Sequence, residues 1–226
     1  KEYGRGMLST VSFRGTTSSQ TAVIWNGINI NSQLLGQTDF NAVTTRDFNS
    51  ISVKSGGGSV IYGSGAIGGT VHLNTDFKFR EAFQNELYLG YGSFNTINTQ
   101  YRLNAGTKKW NTQISFSRNS SDNDYPFVGS DEKNTNGEYY NATVNANIGY
   151  KINDKNILKL YSQFYEDEKH FSITSANAIR TKYRNINSRN LLVWTNTSGA
   201  FTSNVKGAFL KERYQYYDNI ENDTFS

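Results

Sequence analysis

Asn141-Ala-Thr-Val-Asn-Ala-Asn-Ile-Gly-Tyr-Lys-Ile152 alternates apolar and polar side chains with a period of two. Ala142, Val144, Ala146, Ile148, Tyr150 and Ile152 fall on one face, and Asn141, Thr143, Asn145, Asn147 and Lys151 on the other, which only a β-strand produces. The alternation recurs on both sides of this stretch, at Leu87/Leu89/Tyr91, Ile97/Thr99/Tyr101/Leu103/Ala105, Trp110/Thr112/Ile114/Phe116 and Leu158/Leu160/Phe164. Weaker versions near Leu191–Thr197 and Val205–Leu210 bring the expectation to seven strands beyond Glu86.

The connections differ at the two ends of these strands. Tight turns are expected at 104–110, 152–156 and 197–204, and long polar stretches at 119–139 and 166–189, with a short hairpin at 92–95 as the exception on the long side. Short turns at one rim and long loops at the other are the pattern of a membrane-spanning β-barrel. In that arrangement the apolar face meets lipid and the Asn, Gln, Ser and Lys face lines a polar lumen. A soluble β-sandwich reverses the burial, placing Ala142, Val144 and Ile148 in a core. Alternation is symmetric between the two faces and leaves both architectures open.

Composition narrows the function. The 226 residues contain no Cys and two His, which removes disulfides, thiolate metal sites and a Cys nucleophile. The hydrophobic fraction, 36%, lies below that of ordinary globular domains, while 14% aromatic residues argue against disorder. The net charge of +4 contains no run of five like charges, so nucleic acid is not an expected partner. No apolar stretch reaches the roughly 18–20 residues of a spanning helix, which excludes helical membrane proteins only. Nothing at the amino end reads as a secretory signal.

Before residue 79 the character is different. Residues 1–78 are rich in Gly and β-branched residues and read as a small, mostly β domain with at most one short helix, around Phe40–Arg46. The block Ile51-Ser-Val-Lys-Ser-Gly-Gly-Gly-Ser-Val-Ile-Tyr-Gly-Ser-Gly-Ala-Ile-Gly-Gly-Thr-Val-His-Leu-Asn-Thr75 resembles the carboxyl half of the plug domain of TonB-dependent outer-membrane receptors, with Ser59–Gly69 as its most specific part. Phe13-Arg14-Gly15 and Ile24-Trp25-Asn26-Gly27-Ile28 are similar to two upstream plug segments and stand in the same order. Four positions depart from the family pattern: Asn26 for Asp, Ser52 for Glu, Ser55 for a basic residue and Gly57 for Pro.

The resemblance implies a mostly β fold, a transmembrane antiparallel β-barrel of 22 strands with an amino-terminal plug domain inside it. It would place the plug at 1–78 and the first strands of the barrel, about seven, at 79–226. Seven strands over the 147 residues from 80 to 226 use 21 residues each, so a whole barrel would need roughly 460, and the chain is expected to hold about a third of one. It further implies a receptor in the outer membrane of a Gram-negative bacterium that binds a scarce external ligand, a ferric siderophore or cobalamin, and imports it with energy transmitted by TonB. Expected partners are TonB, outer-membrane lipid, a small-molecule ligand such as a metal chelate, and in some receptors a surface lipoprotein. No catalysis is expected. A non-transporting barrel subunit and a soluble β-rich binding or adhesion module are the alternatives.

By the same resemblance Arg14 would latch plug to barrel, and the outward turns at 16–20 and 29–38 would offer Gln20, Asn31, Gln33 and Gln37 to the ligand. Tyr125, Phe127 and Tyr139, flanking the first long stretch, belong either to an aromatic girdle or to the ligand vestibule. Gly63, Gly65, Gly68 and Gly69 form the plug glycine motif, with a structural role where the plug packs against the barrel wall. Gly63-Ser-Gly65-Ala-Ile-Gly68 also matches the dinucleotide fingerprint, but Thr70-Val-His-Leu-Asn-Thr75 behind it is a strand by composition rather than the helix that pyrophosphate binding requires. No cofactor is required; Ca²⁺ in the external loops is the one ion that Asp122, Asp124 and Asp131 would suit, with Glu166, Asp167 and Glu168 read as opening the second loop.

Overall fold

A computed structural model describes residues 7–13, 15–56, 58–173, 175 and 178–222. The chain divides into two units, Lys1–Asp76 and Phe77–Ser226.

In the first unit, strands β1 (Thr21–Trp25), β2 (Ile28–Asn29), β3 (Ser50–Ser55) and β4 (Gly69–Asn74) form a sheet in the order β2-β1-β4-β3. β1 lies between β2 and β4, parallel to β4, and all five of its residues are buried. This accounts for its unbroken apolar run Ala22-Val-Ile-Trp25, since a strand covered on both faces has no reason to alternate. Ile24, Trp25, Val71 and Leu73 are among the buried core residues, each worth about 1.5–3 kcal/mol of apolar burial. Asn26 and Gly27 turn β1 into β2 with φ of 47° and 89°, the two left-handed residues of a tight hairpin. The Asn26 carboxamide oxygen also accepts the Thr75 N–H at 2.8 Å.

The short helix expected near Phe40–Arg46 is replaced by two 3-10 turns, Phe40–Ala42 and Thr45–Asp47. Asp39 closes the first by accepting from Asn41 N at 3.0 Å, and the β-branched run Val43-Thr-Thr45 beyond it resists helix propagation. A one-turn helix, α1 (Ser59–Tyr62), stands instead inside the glycine block and ends at Gly63, whose φ is 84°.

The second unit is a seven-stranded antiparallel meander. Its strands are β5 (Ala82–Gly92), β6 (Thr96–Gly106), β7 (Trp110–Ser121), β8 (Tyr139–Asn153), β9 (Asn156–His170), β10 (Lys182–Ser198) and β11 (Phe201–Tyr217), each paired with its sequence neighbours. Turns of two or three residues join them at one end, and connections at 93–95, 122–138 and 171–181 at the other. The second long stretch is therefore shorter than expected. Glu166-Asp-Glu168 lies within β9 because its charges have partners on β10: Glu166 takes Arg184, Glu168 takes Lys182 at 3.2 Å, and Asp167 accepts from the Asn185 carboxamide at 2.9 Å.

The burial of the two faces separates the architectures that the sequence left open. Along β8 the polar residues Asn141, Thr143, Asn145 and Asn147 are buried, while Val144 is 42% exposed. On β7, Asn111, Gln113, Ser115 and Ser117 are buried, and Ile114 and Phe116 are exposed. Leu87, Leu89, Tyr91, Leu160, Phe164, Leu192 and Trp194 continue the exposed apolar face across the sheet. A soluble sandwich requires the reverse. An apolar face of seven strands far exceeds the few hundred Å² that soluble proteins leave to water, and it suits a hydrocarbon surround.

Candidate functional site

Register brings the covered polar face into rows. Ser115, Asn145, Gln163 and Arg189 pair in turn from β7 to β10 and are joined by hydrogen bonds: Asn145 Nδ2 donates to Ser115 Oγ at 3.0 Å, Gln163 Nε2 to Asn145 Oδ1 at 2.9 Å, and Arg189 Nη1 to Gln163 Oε1 at 2.6 Å. Such a chain satisfies each carboxamide away from water, where an unpaired one costs about 1–3 kcal/mol.

Nearer the long-loop end the same face carries an ionic and aromatic cluster on residues that sequence pattern alone assigns to a loop. The side chains of Asp167 and Lys169 are almost wholly buried and paired at 3.1 Å. Asp167 also accepts from Tyr165 Oη at 2.6 Å and from Asn185 N at 3.1 Å. The Lys169 ammonium lies 5.6 Å from the centre of the Tyr183 ring, which stacks on Tyr214 and lies tilted against Phe171; Phe171 in turn meets Tyr216 edge-on. Alternation within Tyr165-Glu-Asp-Glu-Lys169 was the available signal, since it sends Tyr165, Asp167 and Lys169 to one side and the two Glu to the other.

Two fully buried asparagines tie the long connections together. Asn134 donates to Asn123 O and to Ser172 Oγ, both at 3.2 Å, and accepts from Ile173 N at 3.3 Å. Asn136 donates to Phe171 O at 2.8 Å and Thr181 O at 3.1 Å, and its carboxamide oxygen faces His170 Nδ1 at 3.1 Å. Segments 122–138 and 171–181 are thus joined side chain to backbone rather than hanging as separate loops.

The other residues expected to bind ligand occupy varied surroundings. Tyr125 and Phe127 are half-buried in the first connection and pack edge-on with each other, Tyr125 also against Phe94, while Tyr139 is buried at the start of β8. In the first unit Gln20 accepts from Thr17 N at 3.0 Å as part of a capping box. Asn31 is used in full by its own loop, accepting from Val23 N at 2.9 Å and donating to Thr21 O at 3.0 Å and Gly36 O at 3.1 Å. Gln37 accepts from Ser18 Oγ, and Gln33 is exposed. Arg14 lies outside the described residues.

Gly68 and Gly69 stand where chain segments of the first unit nearly touch. A Cβ at Gly68 would lie 2.2 Å from Thr16 Oγ1, and one at Gly69 would lie 2.6 Å from the Phe13 ring and 2.8 Å from Lys54 O. Gly63 shapes the turn by its positive φ, and Gly65 has more room. β4 comes directly after the motif, so the fingerprint has no helix to aim at a phosphate. Asp124 takes the Lys133 ammonium at 3.0 Å, and Asp122 and Asp131 are exposed. Among the described residues no three His, Asp or Glu side chains converge as a metal would require.

A buried-polar, exposed-apolar meander following a compact glycine-rich domain defines the fold class: a plug domain followed by part of an antiparallel β-barrel. Residues 1–70 match the plug domain of TonB-dependent receptors. These are transporters and receptors rather than enzymes. The chain is 34% identical over 113 residues to the vitamin B12 transporter BtuB of Vibrio vulnificus, covering 50% of this chain and 18% of that protein. It is 28% identical over 170 residues to the vitamin B12 transporter BtuB of Photobacterium profundum, covering 74% of this chain and 28% of that one. It therefore spans under a third of these relatives. Among solved structures, the FrpB iron transporter of Neisseria meningitidis superposes with a TM-score of 0.68 at 14% identity, over 88% of this chain and 34% of that one. The siderophore receptor PiuA of Acinetobacter baumannii gives 0.68 at 12% identity, over 94% and 32%. At such identities the likeness concerns the fold. Homologues in this family reside in the Gram-negative outer membrane.

Proposed function

We propose that this chain forms the plug and part of the barrel wall of an outer-membrane receptor that captures a scarce external ligand in its vestibule and imports it when TonB, driven by the inner-membrane proton gradient, acts on the plug. The observation that carries the reading is the inverted burial of the seven-stranded sheet, polar face covered and apolar face exposed, following a plug domain. No bond is made or broken. The protein's work is binding, selection and gating, which fits the lack of Cys and the carboxamide-rich covered face.

The ligand is a ferric siderophore or cobalamin, a choice supported by relatives that transport vitamin B12. At the long-loop end, Tyr183, Tyr214, Tyr216 and Phe171 supply flat apolar surface, and the Asp167–Lys169 pair beside them holds that surface in place. Growth of a strain lacking the full-length gene on single sources of ferric siderophore or cobalamin tests the proposal. Loss of growth on one source, restored by the gene, is the expected result and names the ligand. Undiminished growth on all of them, with the protein extracted from cells without detergent, would overturn it.

A further inference from the structure

Between β4, the last strand of the first unit, and β5, the first of the second, the chain runs from Thr75 to Glu81. Thr75 and Asp76 belong to the first unit: the Thr75 N–H donates to the Asn26 carboxamide oxygen at 2.8 Å, and the Asp76 N–H to that of Asn49 at 2.9 Å. Phe77 already belongs to the second, so a single peptide bond carries the chain from one unit to the other. There the segment 77–80 meets the covered face of the sheet at its short-turn end, where Gly106 on β6, Asn111 on β7 and Gly149 on β8 fall in one register row.

Both glycines of that row are points of close approach. A Cβ on Gly149 would lie 2.7 Å from Phe77 Cγ, and one on Gly106 would lie 2.8 Å from Arg80 O. The Phe77 ring also reaches Tyr161 on β9, with 5.4 Å between ring centres, and Tyr161 is buried. Asn111, between the glycines, is used by the wall itself: it donates to Asn104 Oδ1 at 3.0 Å and accepts from Gln113 Nε2 at 3.0 Å. Further along β8 the same face carries Asn141, Thr143, Asn145 and Asn147, so the Phe77–Tyr161 pair over Gly149 is an apolar seat on a polar wall. A strand that only lines a lumen has no need to lose its side chains at these two places. A strand that seats another stretch of backbone does. The chain leaves the first unit only through β4, so along the backbone a pull on any earlier residue reaches the wall at Phe77. Beyond the segment, Ala82 is already held in the β5–β6 ladder opposite Gly106.

We infer that Gly106, Gly149 and Tyr161 form a mooring for the segment 77–80, the fixed point at which a pull on the plug stops, an inference that rests on the TonB-driven import proposed for the protein. A ring wedged between a glycine backbone and Tyr161 must leave its seat whole before the residues behind it can follow. The full-length protein, reconstituted in phospholipid bilayers, is pulled from its amino end by single-molecule force spectroscopy, and the contour length released before any barrel strand leaves is read. Phe77→Ala is expected to lengthen it by the five residues 77–81, about 17 Å at roughly 3.3–3.6 Å per residue. Gly149→Ala, which crowds the ring from the side of the wall, is expected to give the same gain. Gly207→Ala, with nothing within 4 Å of the Cβ it adds, is the control and is expected to keep the wild-type length. Heat-dependent gel mobility reports which variants are folded barrels. Wild-type length in a folded Phe77→Ala or Gly149→Ala protein would overturn the mooring, as would an equal gain in the control. The import reading fails separately, if ligand uptake by cells proves independent of TonB, and the length released by the purified protein does not depend on that result.

Discussion

At the scale of single residues, close approach explains the glycine motif better than chemistry does. A Cβ on Gly68 would lie 2.2 Å from Thr16 Oγ1, a distance no Cβ tolerates, and would crowd Gln20 O at 3.0 Å, so Gly68→Ala is expected to destabilise by about 1–3 kcal/mol. At Gly65 the nearest atom, Ser19 O, would be 3.4 Å from a Cβ, and Gly65→Ala should cost less than about 1 kcal/mol. Thermal unfolding of the two variants side by side checks the ranking, and equal losses would count against it. His72 supplies a pH dependence. Burial, with the nearby Lys54 adding to it, lowers its pKa below the ordinary imidazole value, while its Nε2 lies 2.9 Å from Thr70 Oγ1 and its ring meets Tyr62 edge-on. The unfolded chain then binds more protons than the folded one below about pH 6.5. Stability is full above that pH and declines as the pH falls from there through the depressed folded value. Comparing unfolding of wild type and His72→Gln at pH 7.5 and 5.5 should show the larger acid loss in the wild type; parallel losses would exclude His72 as the cause.

At the scale of elements, strands β8 to β10 and the connections beyond them behave as one construction. Asn134 and Asn136 replace what would otherwise be two independent loops by shared, fully buried hydrogen bonds. Truncating either to Ala leaves buried backbone groups unpaired and should cost about 1–3 kcal/mol. Hydrogen exchange is the informative measurement: Asn136→Ala is expected to speed exchange at Phe171 and Thr181 on the second connection, although the mutation lies on the first. Faster exchange confined to 122–138 would show that the two segments are not coupled. Alternation located these strands, but not how far β9 and β10 extend, because Glu166-Asp-Glu168 and Lys182-Tyr-Arg184 each read as loop when taken alone. They extend the ladder only because cross-strand register sets acid against base.

At the scale of the whole molecule, the exposed apolar face predicts its own solvent. Val144 lies midway along β8 between Tyr140 and Tyr150, near the centre of the apolar band. Val144→Arg is expected to destabilise the full-length protein by about 2–4 kcal/mol in phospholipid vesicles, the cost of a cation at the bilayer midplane. Were that face in water, an exposed substitution would stay within about 0.5 kcal/mol, and equilibrium unfolding distinguishes the two.

Sequence alone determined the strands, their number and the rhythm of turns, because a period of two is a local property that each segment carries by itself. The plug was legible too, through a glycine block in which Gly68 and Gly69 leave no space for a side chain. Which face of the sheet is covered was decided only by tertiary structure, because alternation looks the same from either side. The packing of the Asp167–Lys169 pair against Asn185 and Tyr183 of β10, and the joining of the two long connections by Asn134 and Asn136, were likewise decided there. Each depends on residues from different strands or loops meeting in space, and their spacing along the chain records nothing of that meeting.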